Sequence, residues 1–304
     1  MIYKNSGVWY DFAQGLGPLP FRKLVELTLG EKGDIEKFLV EAPEFSVSPQ
    51  DEFIEMSKIY PESILDDLLP SYKFYLDKKI SEETLKKYKC GFASGGKLYR
   101  RIVFPIYNNV NQIIGFSGRK VDQDNNAPKW KHLGKRREWV YPVNISDDFR
   151  TTWTNEDNEL IFVESIGDSL ALTENGYQNH LVLFGLTPSS KILGWLLTMH
   201  SGKIIISTNN DFDSKINRGE IAAVKTYLSL LSICDKDRLE IRLPLANDFG
   251  DMHEAGVSFK KWEQQEDKTQ EILSNTFKNL DWLRENKVTF TAAQRKELTA
   301  IQDG

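Results

Sequence analysis

The sequence predicts an α+β, basic N-terminal subdomain, then an α/β domain with a central, mostly parallel sheet flanked by helices, then a helical C-terminal tail. Three observations carry this expectation. Leu160-Ile161-Phe162-Val163, His180 to Phe184 and Lys203-Ile204-Ile205-Ile206-Ser207 are short apolar runs separated by helical patterns, the alternation expected of parallel strands with helical crossovers. The first and last of these runs deliver acids, Glu164 to Asp168 and Asp211-Phe212-Asp213. Upstream, the stretch from Lys86 to Arg137 holds thirteen Lys or Arg against two acids, Asp122 and Asp124, a local balance of +11 in a chain whose net charge is −5.

Taken in order, Gly7 to Phe12 followed by Gly15-Leu16-Gly17-Pro18 reads as a short hairpin leading into a helix over Phe21 to Leu29. Residues 41–52 are turn-rich and form a linker candidate, and Ile54 to Lys89 reads as helical, with Ser81 capping a helix that begins Glu82-Glu83. Arg101 to Tyr107, the turn Asn108 to Asn111 and Gln112 to Ser117 make a β-hairpin pattern. In the α/β segment the helices span Ser169 to Asn175, Ser189 to Met199 and Gly219 to Ser232, and a further strand over Leu239 to Leu243 ends in Asn247-Asp248-Phe249-Gly250-Asp251. The tail from Phe259 to Gly304 is helical, with Trp262, Ile272, Phe277, Leu280, Trp282 and Leu283 as inward positions. The segments are therefore 1–50, 51–150, 151–257 and 258–304.

With 304 residues, 40% of them hydrophobic and 27% charged, the composition is that of an ordinary soluble globular protein. No apolar run approaches a membrane span and no secretory leader opens the chain, so a cytoplasmic location and no membrane partner are expected. Cys90 and Cys234 have no spaced partners, and His132, His180, His200 and His253 no ligand spacing, so no zinc site is expected. No P-loop motif and no serine-nucleophile motif is found. Beyond the carboxyl ends of parallel strands, where ligands sit, carboxylates without Cys or His beside them suit a hard cation: Mg²⁺, or Mn²⁺ in its place. The expected metal set is Glu164, Asp168, Asp211, Asp213, Asp248 and Asp251, with Glu164, Asp211 and Asp213 as the catalytic carboxylates. Asp168 has a second reading, orienting the first-turn backbone, and Asp251 a second reading as the N-cap of Met252 to Ala255.

The order Glu164-xxx-Asp168, Asp211-x-Asp213, Asp248-xx-Asp251 resembles the acidic signature of a TOPRIM domain, and the upstream residues Arg101-Ile-Val-Phe-Pro-Ile, Ile114-Gly-Phe-Ser-Gly-Arg119 and Pro128-Lys129-Trp130 resemble the basic subdomain of DnaG-type primases. Ile80 to Gly91 is similar to the helix and glycine turn before it, so the resemblance covers about Tyr60 to Gly256. It implies a DNA primase: a nucleotidyltransferase that makes short RNA primers on single-stranded DNA from ribonucleoside triphosphates by two-metal phosphoryl transfer, with a replicative helicase as a further partner. Arg101, Arg119, Lys129 and Lys135 are then the candidates for nucleotide or template phosphates, and Trp130 for stacking or packing. Two departures stand out. The family's first acid is usually followed by Gly where this chain has Ser165, so a differently shaped turn is expected; and the family's zinc ribbon survives only as the Gly7 to Phe12 hairpin. A TOPRIM nuclease and a non-catalytic TOPRIM protein that binds a replication partner are the rival readings.

Overall fold

The computed structural model describes residues 8–11, 16–20, 58–122, 127–143, 145, 159–199 and 202–303. The chain divides into two compact units, Met1–Met56 and Ser57–Gly304. In the first, β1 (Val8–Asp11) pairs antiparallel with β2 (Leu16–Pro20), the hairpin that the sequence predicts. The expected helix at Phe21 to Leu29 and the linker at 41–52 lie outside the described residues.

The second unit opens on short pieces. Where one helical stretch to Lys89 is expected, a 3-10 turn (Glu62–Asp67), β3 (Leu68–Leu69), α1 (Lys73–Leu76) and α2 (Glu82–Lys87) follow one another. Pro61 and Pro70 lack amide donors, and Lys79 sits at φ 64°, so no single helix survives these breaks. Ser81 caps α2 as expected, its hydroxyl accepting from the Thr84 amide at 3.2 Å.

An antiparallel sheet of order β3-β4-β5-β6-β7 follows, from β4 (Gly91–Ala93), β5 (Arg101–Tyr107), β6 (Ile113–Lys120) and β7 (Trp130–Leu133). Every residue of β5 is buried. Pro105 is tolerated in this central strand because β4 pairs only with Arg101 to Val103, so Pro105 has no partner strand on that side. Gly115 is needed where it stands: a Cβ there would lie 2.6 Å from the Trp139 ring.

The second sheet has the order β11-β10-β8-β9, all parallel: β8 (Leu160–Val163), β9 (His180–Val182), β10 (Ile204–Ile206) and β11 (Leu239–Ile241). Its helices are α3 (Ile166–Glu174), α4 (Ser190–Met199), α5 (Arg218–Leu230) and α6 (Phe249–Ala255). β8 and β10 are apolar throughout because both faces are covered, while β9 and β11 each carry one buried polar residue, His180 and Glu240. Ile161, Val163, Val182 and Ile205 share a core with Leu170 of α3, Phe249 of α6 and the antiparallel sheet. Leu160, Phe162, Leu181, Ile204 and Ile206 face the other way, onto α4, α5 and the tail. Both sheets and the tail helices lie within the second compact unit, Ser57–Gly304.

The tail is α7 (Phe259–Glu263), α8 (Thr269–Lys278), α9 (Leu280–Glu285) and α10 (Ala292–Asp303). Trp262 is fully buried against Phe249, with ring centroids 5.0 Å apart, and its indole donates to the Arg242 carbonyl at 3.2 Å. Leu283 is buried, and Ile272, Phe277 and Leu280 pack against the same core. Trp282 is the exception among the expected inward positions: it is exposed, with the Lys215 ammonium 5.8 Å from its ring.

Candidate acidic and phosphate-binding site

The parallel strands end together, and their following loops carry the acids. β8 runs directly into Glu164, which is half-buried, and Ser165 then opens α3. Ser165 has φ −132°, ordinary extended backbone, so this turn needs no glycine. Its amide and hydroxyl both donate to Asp168 Oδ2, at 3.0 and 2.8 Å. This is a reciprocal Ser-x-x-Asp helix start, a signal legible in the sequence but overshadowed by the metal reading of the same acids.

Asp168 is 2% exposed, and its other oxygen, Oδ1, accepts from the Phe249 amide at 3.1 Å. Burial, then the neighbouring Asp248 charge, push its carboxyl up to about 7, against the pull of the Ser165 hydrogen bonds. Both oxygens are therefore occupied inside the protein, which fits the backbone-orienting reading. Asp248 caps α6, accepting from the Asp251 amide at 2.7 Å. Asp251 is not the cap its spacing suggested; it lies in the first turn of α6, exposed.

The loop after β10 is held tightly. Asp211 Oδ2 accepts from the Gly219 amide at 3.0 Å, while Asn217 Oδ1 accepts from the amides of Asp211 at 2.9 Å and Glu220 at 3.0 Å. Asn210 ties this loop to the one after β11: its amide donates to the Asn247 carbonyl at 2.7 Å and its side chain to the Pro244 carbonyl at 2.9 Å. Gly219 permits the closure, since a Cβ there would sit 1.8 Å from the Asn209 carbonyl oxygen. Asn210, Asn217 and Gly219 escape sequence reasoning because their task is set by partners across a loop. Asp213 lies exposed beyond the turn.

Electrostatics bring part of the expected set together. Burial raises the Glu164 carboxyl, and the charges of Asp211 and Asp248 raise it further, while Lys129 lowers it. Burial also raises Asp248; the hydrogen bond from the Asp251 amide opposes it, the Asp251 charge raises it and the Lys129 charge lowers it. Yet among the described residues no three of His, Cys, Asp and Glu converge closely enough to cage a metal ion. Of the expected catalytic carboxylates, Asp211 is partly spent on the start of α5, and Asp213 is exposed. The chemistry of Glu164, Asp211 and Asp248 still fits Mg²⁺, which is commonly held by one or two carboxylates together with substrate phosphates.

The cations separate into two groups. Arg101 is buried, its guanidinium donating to the carbonyls of Gly118 at 3.0 Å, Pro128 at 2.9 Å and Lys129 at 3.3 Å. These bonds fasten the approach to β7. Arg119 is half-buried over Phe74 and Trp130, 5.2 and 5.8 Å from the ring centroids, and feels the charge of Asp248. Lys129 is exposed and acts electrostatically on both Glu164 and Asp248, and Lys135 is half-buried. Trp130 is half-buried against Phe104, the packing alternative. His180 is buried; its Nδ1 donates to the Tyr177 carbonyl, so Nε2 accepts from the Ser169 hydroxyl, and burial lowers its pKa to about 3. His132 packs on Trp139 and Phe184, and His253 bonds to Lys79 and Asn175, while His200 lies outside the described residues.

The family model for the DNA primase catalytic core, N-terminal domain, matches residues 95–135. A DNA primase of Rickettsia conorii is 24% identical over 301 residues, covering 84% of this chain and 48% of the relative. One of Clostridium acetobutylicum is 22% identical, covering 48% of this chain and 30% of the relative. The chain thus spans between about a third and a half of these relatives. A solved DnaG catalytic core matches with a TM-score of 0.57 at 17% identity, over 76% of this chain and 82% of that one. The Aquifex aeolicus primase, zinc-binding and RNA polymerase domains, matches with a TM-score of 0.55 at 16% identity, over 99% of this chain and 85% of that one. A DnaG primase catalytic domain bound to single-stranded DNA shares the fold, with a TM-score of 0.57 at 17% identity, over 71% of this chain and 80% of that one. Sequence and fold point the same way: residues 95–135 match the N-terminal domain of the primase catalytic core, and the chain shares the fold of solved DnaG catalytic cores.

Proposed function

We propose that the chain is a DNA primase, copying single-stranded DNA into short RNA primers from ribonucleoside triphosphates in the cytoplasm of a bacterial or phage-infected cell. The observation that carries this reading is the fold shared with solved DnaG catalytic cores, and the Lys129 charge acting on Glu164 and Asp248 supports it. A polyanion approaching Arg119, Lys129 and Lys135 would present its phosphates to Glu164, Asp211 and Asp248. Mg²⁺, or Mn²⁺, would neutralise charge between triphosphate and attacking hydroxyl. Glu164, its proton affinity raised by burial and by Asp211, is suited to accept the proton of a 3′-hydroxyl. Asp168 holds Ser165 and Phe249, and so the acidic loops, in register. A replicative helicase is the proposed protein partner.

Incubation with single-stranded DNA, labelled ribonucleotides and Mg²⁺ tests this. Short RNA supports the reading; degraded DNA and no RNA would instead identify a nuclease.

A further inference from the structure

Phe212 stands between Asp211 and Asp213 and is 59% exposed, a large aromatic ring left in water on a loop whose flanks are hydrogen-bonded. Around it Asp211 is bonded to Asn217 and Gly219, the Ser214 amide donates to the Asp211 carbonyl at 2.9 Å, and Asn210 bonds to Pro244 and Asn247. The neighbouring loop carries a second uncovered apolar group, Leu245, 40% exposed. Because β10 and β11 pair in parallel, both groups emerge at the same end of the sheet as the acids. Arg218, at the start of α5, is exposed on the same loop connection. Fixing an aromatic ring in solvent costs the protein hydrophobic stabilisation, and a rigid display lowers the entropy lost on binding.

Resting on the primase reading above, we propose that Phe212 is a stacking platform for one base of the nucleic-acid strand held at the acidic rim, with Leu245 bordering it. The flanking carboxylates favour a base over an apolar protein surface. A protein surface covering Phe212 would strip water from Asp211 and Asp213 on either side, an uncompensated charge burial. A base offers a flat face to the ring while its sugar and phosphate remain outward, toward Arg218 and a cation shared with the carboxylates. Stacking of this kind tolerates any base, since every base has a π-face.

The test is equilibrium binding of the full chain to a single-stranded oligonucleotide in Mg²⁺, compared with Phe212→Ala, Phe212→Tyr and Phe212→Leu. Alanine is expected to weaken binding roughly 5- to 100-fold, tyrosine to retain it and leucine to recover little. An oligonucleotide of abasic sugars should bind wild type and Phe212→Ala alike. Equal affinity of wild type and Phe212→Ala for the normal strand, or full recovery by leucine, overturns the proposal. Absence of any binding by wild type would instead strike the primase reading itself.

Discussion

The Phe249 amide donates to Asp168 Oδ1 at 3.1 Å, across 81 residues of chain, while Asp168 Oδ2 holds Ser165. One buried carboxylate thereby spaces the first acidic loop from the third. Asp168→Asn keeps the volume but can offer an acceptor to only one of the two sides, leaving an amide donor facing an amide donor at the other. A destabilisation of about 1–3 kcal/mol is expected, read from the urea midpoint. An unchanged midpoint would remove Asp168 from this bridging role.

Asp211→Asn retains an oxygen for the Gly219 amide, and Asp213 is exposed, so Asp211→Asn and Asp213→Asn should leave thermal stability nearly unaltered. Each removes a charge from the rim facing a divalent ion. Primer synthesis is expected to fall by more than about 100-fold in either variant, since even outer-shell changes at metal sites cost roughly 10- to 100-fold. Full polymerisation by both would withdraw the acidic loop after β10 from the reaction.

Lys129 is exposed, and the structure gives its charge two acidic neighbours, Glu164 and Asp248. If it contacts a template phosphate, Lys129→Ala should weaken DNA binding evenly across sequences and reduce the salt slope by about one. A binding curve at several salt concentrations decides it; an unchanged slope counts against the contact.

Removal of residues 259–304 is expected to yield insoluble protein, because Phe259 and Trp262 are buried, the first stacked on Phe249 and the second edge-on to it. Trp262→Ala, a milder test, should cost about 3–5 kcal/mol. A soluble, cooperatively folding remnant would show that the tail is a separate attachment.

His180 and His132 have pKa values lowered to about 3 and about 4, first by burial. Their neutral forms contribute stability that is present above the unfolded value of about 6.5. That stability is lost as pH falls from 6.5 toward 4 and 3. The raised Asp168 works oppositely between its ordinary value and about 7. Glu164 and Asp248 are raised as well, so the histidine contribution is isolated with His132→Phe. This variant should lose less stability than wild type between pH 6.5 and 4, read from urea midpoints, and an identical loss would contradict it.

The sequence by itself determined the sheets, because burial on both faces makes Leu160–Val163 and Ile204–Ile206 apolar throughout, and it determined the order of the acids after them. Ser81, Asn175 and Gly176 announced helix ends through local chemistry that depends on neighbours only a few residues away. Tertiary structure alone decided the division of labour among residues of one type. Arg101 and Arg119 are both arginines flanking one hairpin, yet three carbonyls consume the first and leave the second over two rings toward Asp248. Asp168 and Asp213 are both acids after apolar strands, yet one is buried between two loops and the other is exposed. The physical reason is range. Periodicity and capping act over a turn or a strand, whereas the partner that satisfies a carboxylate or guanidinium comes from wherever the chain folds back.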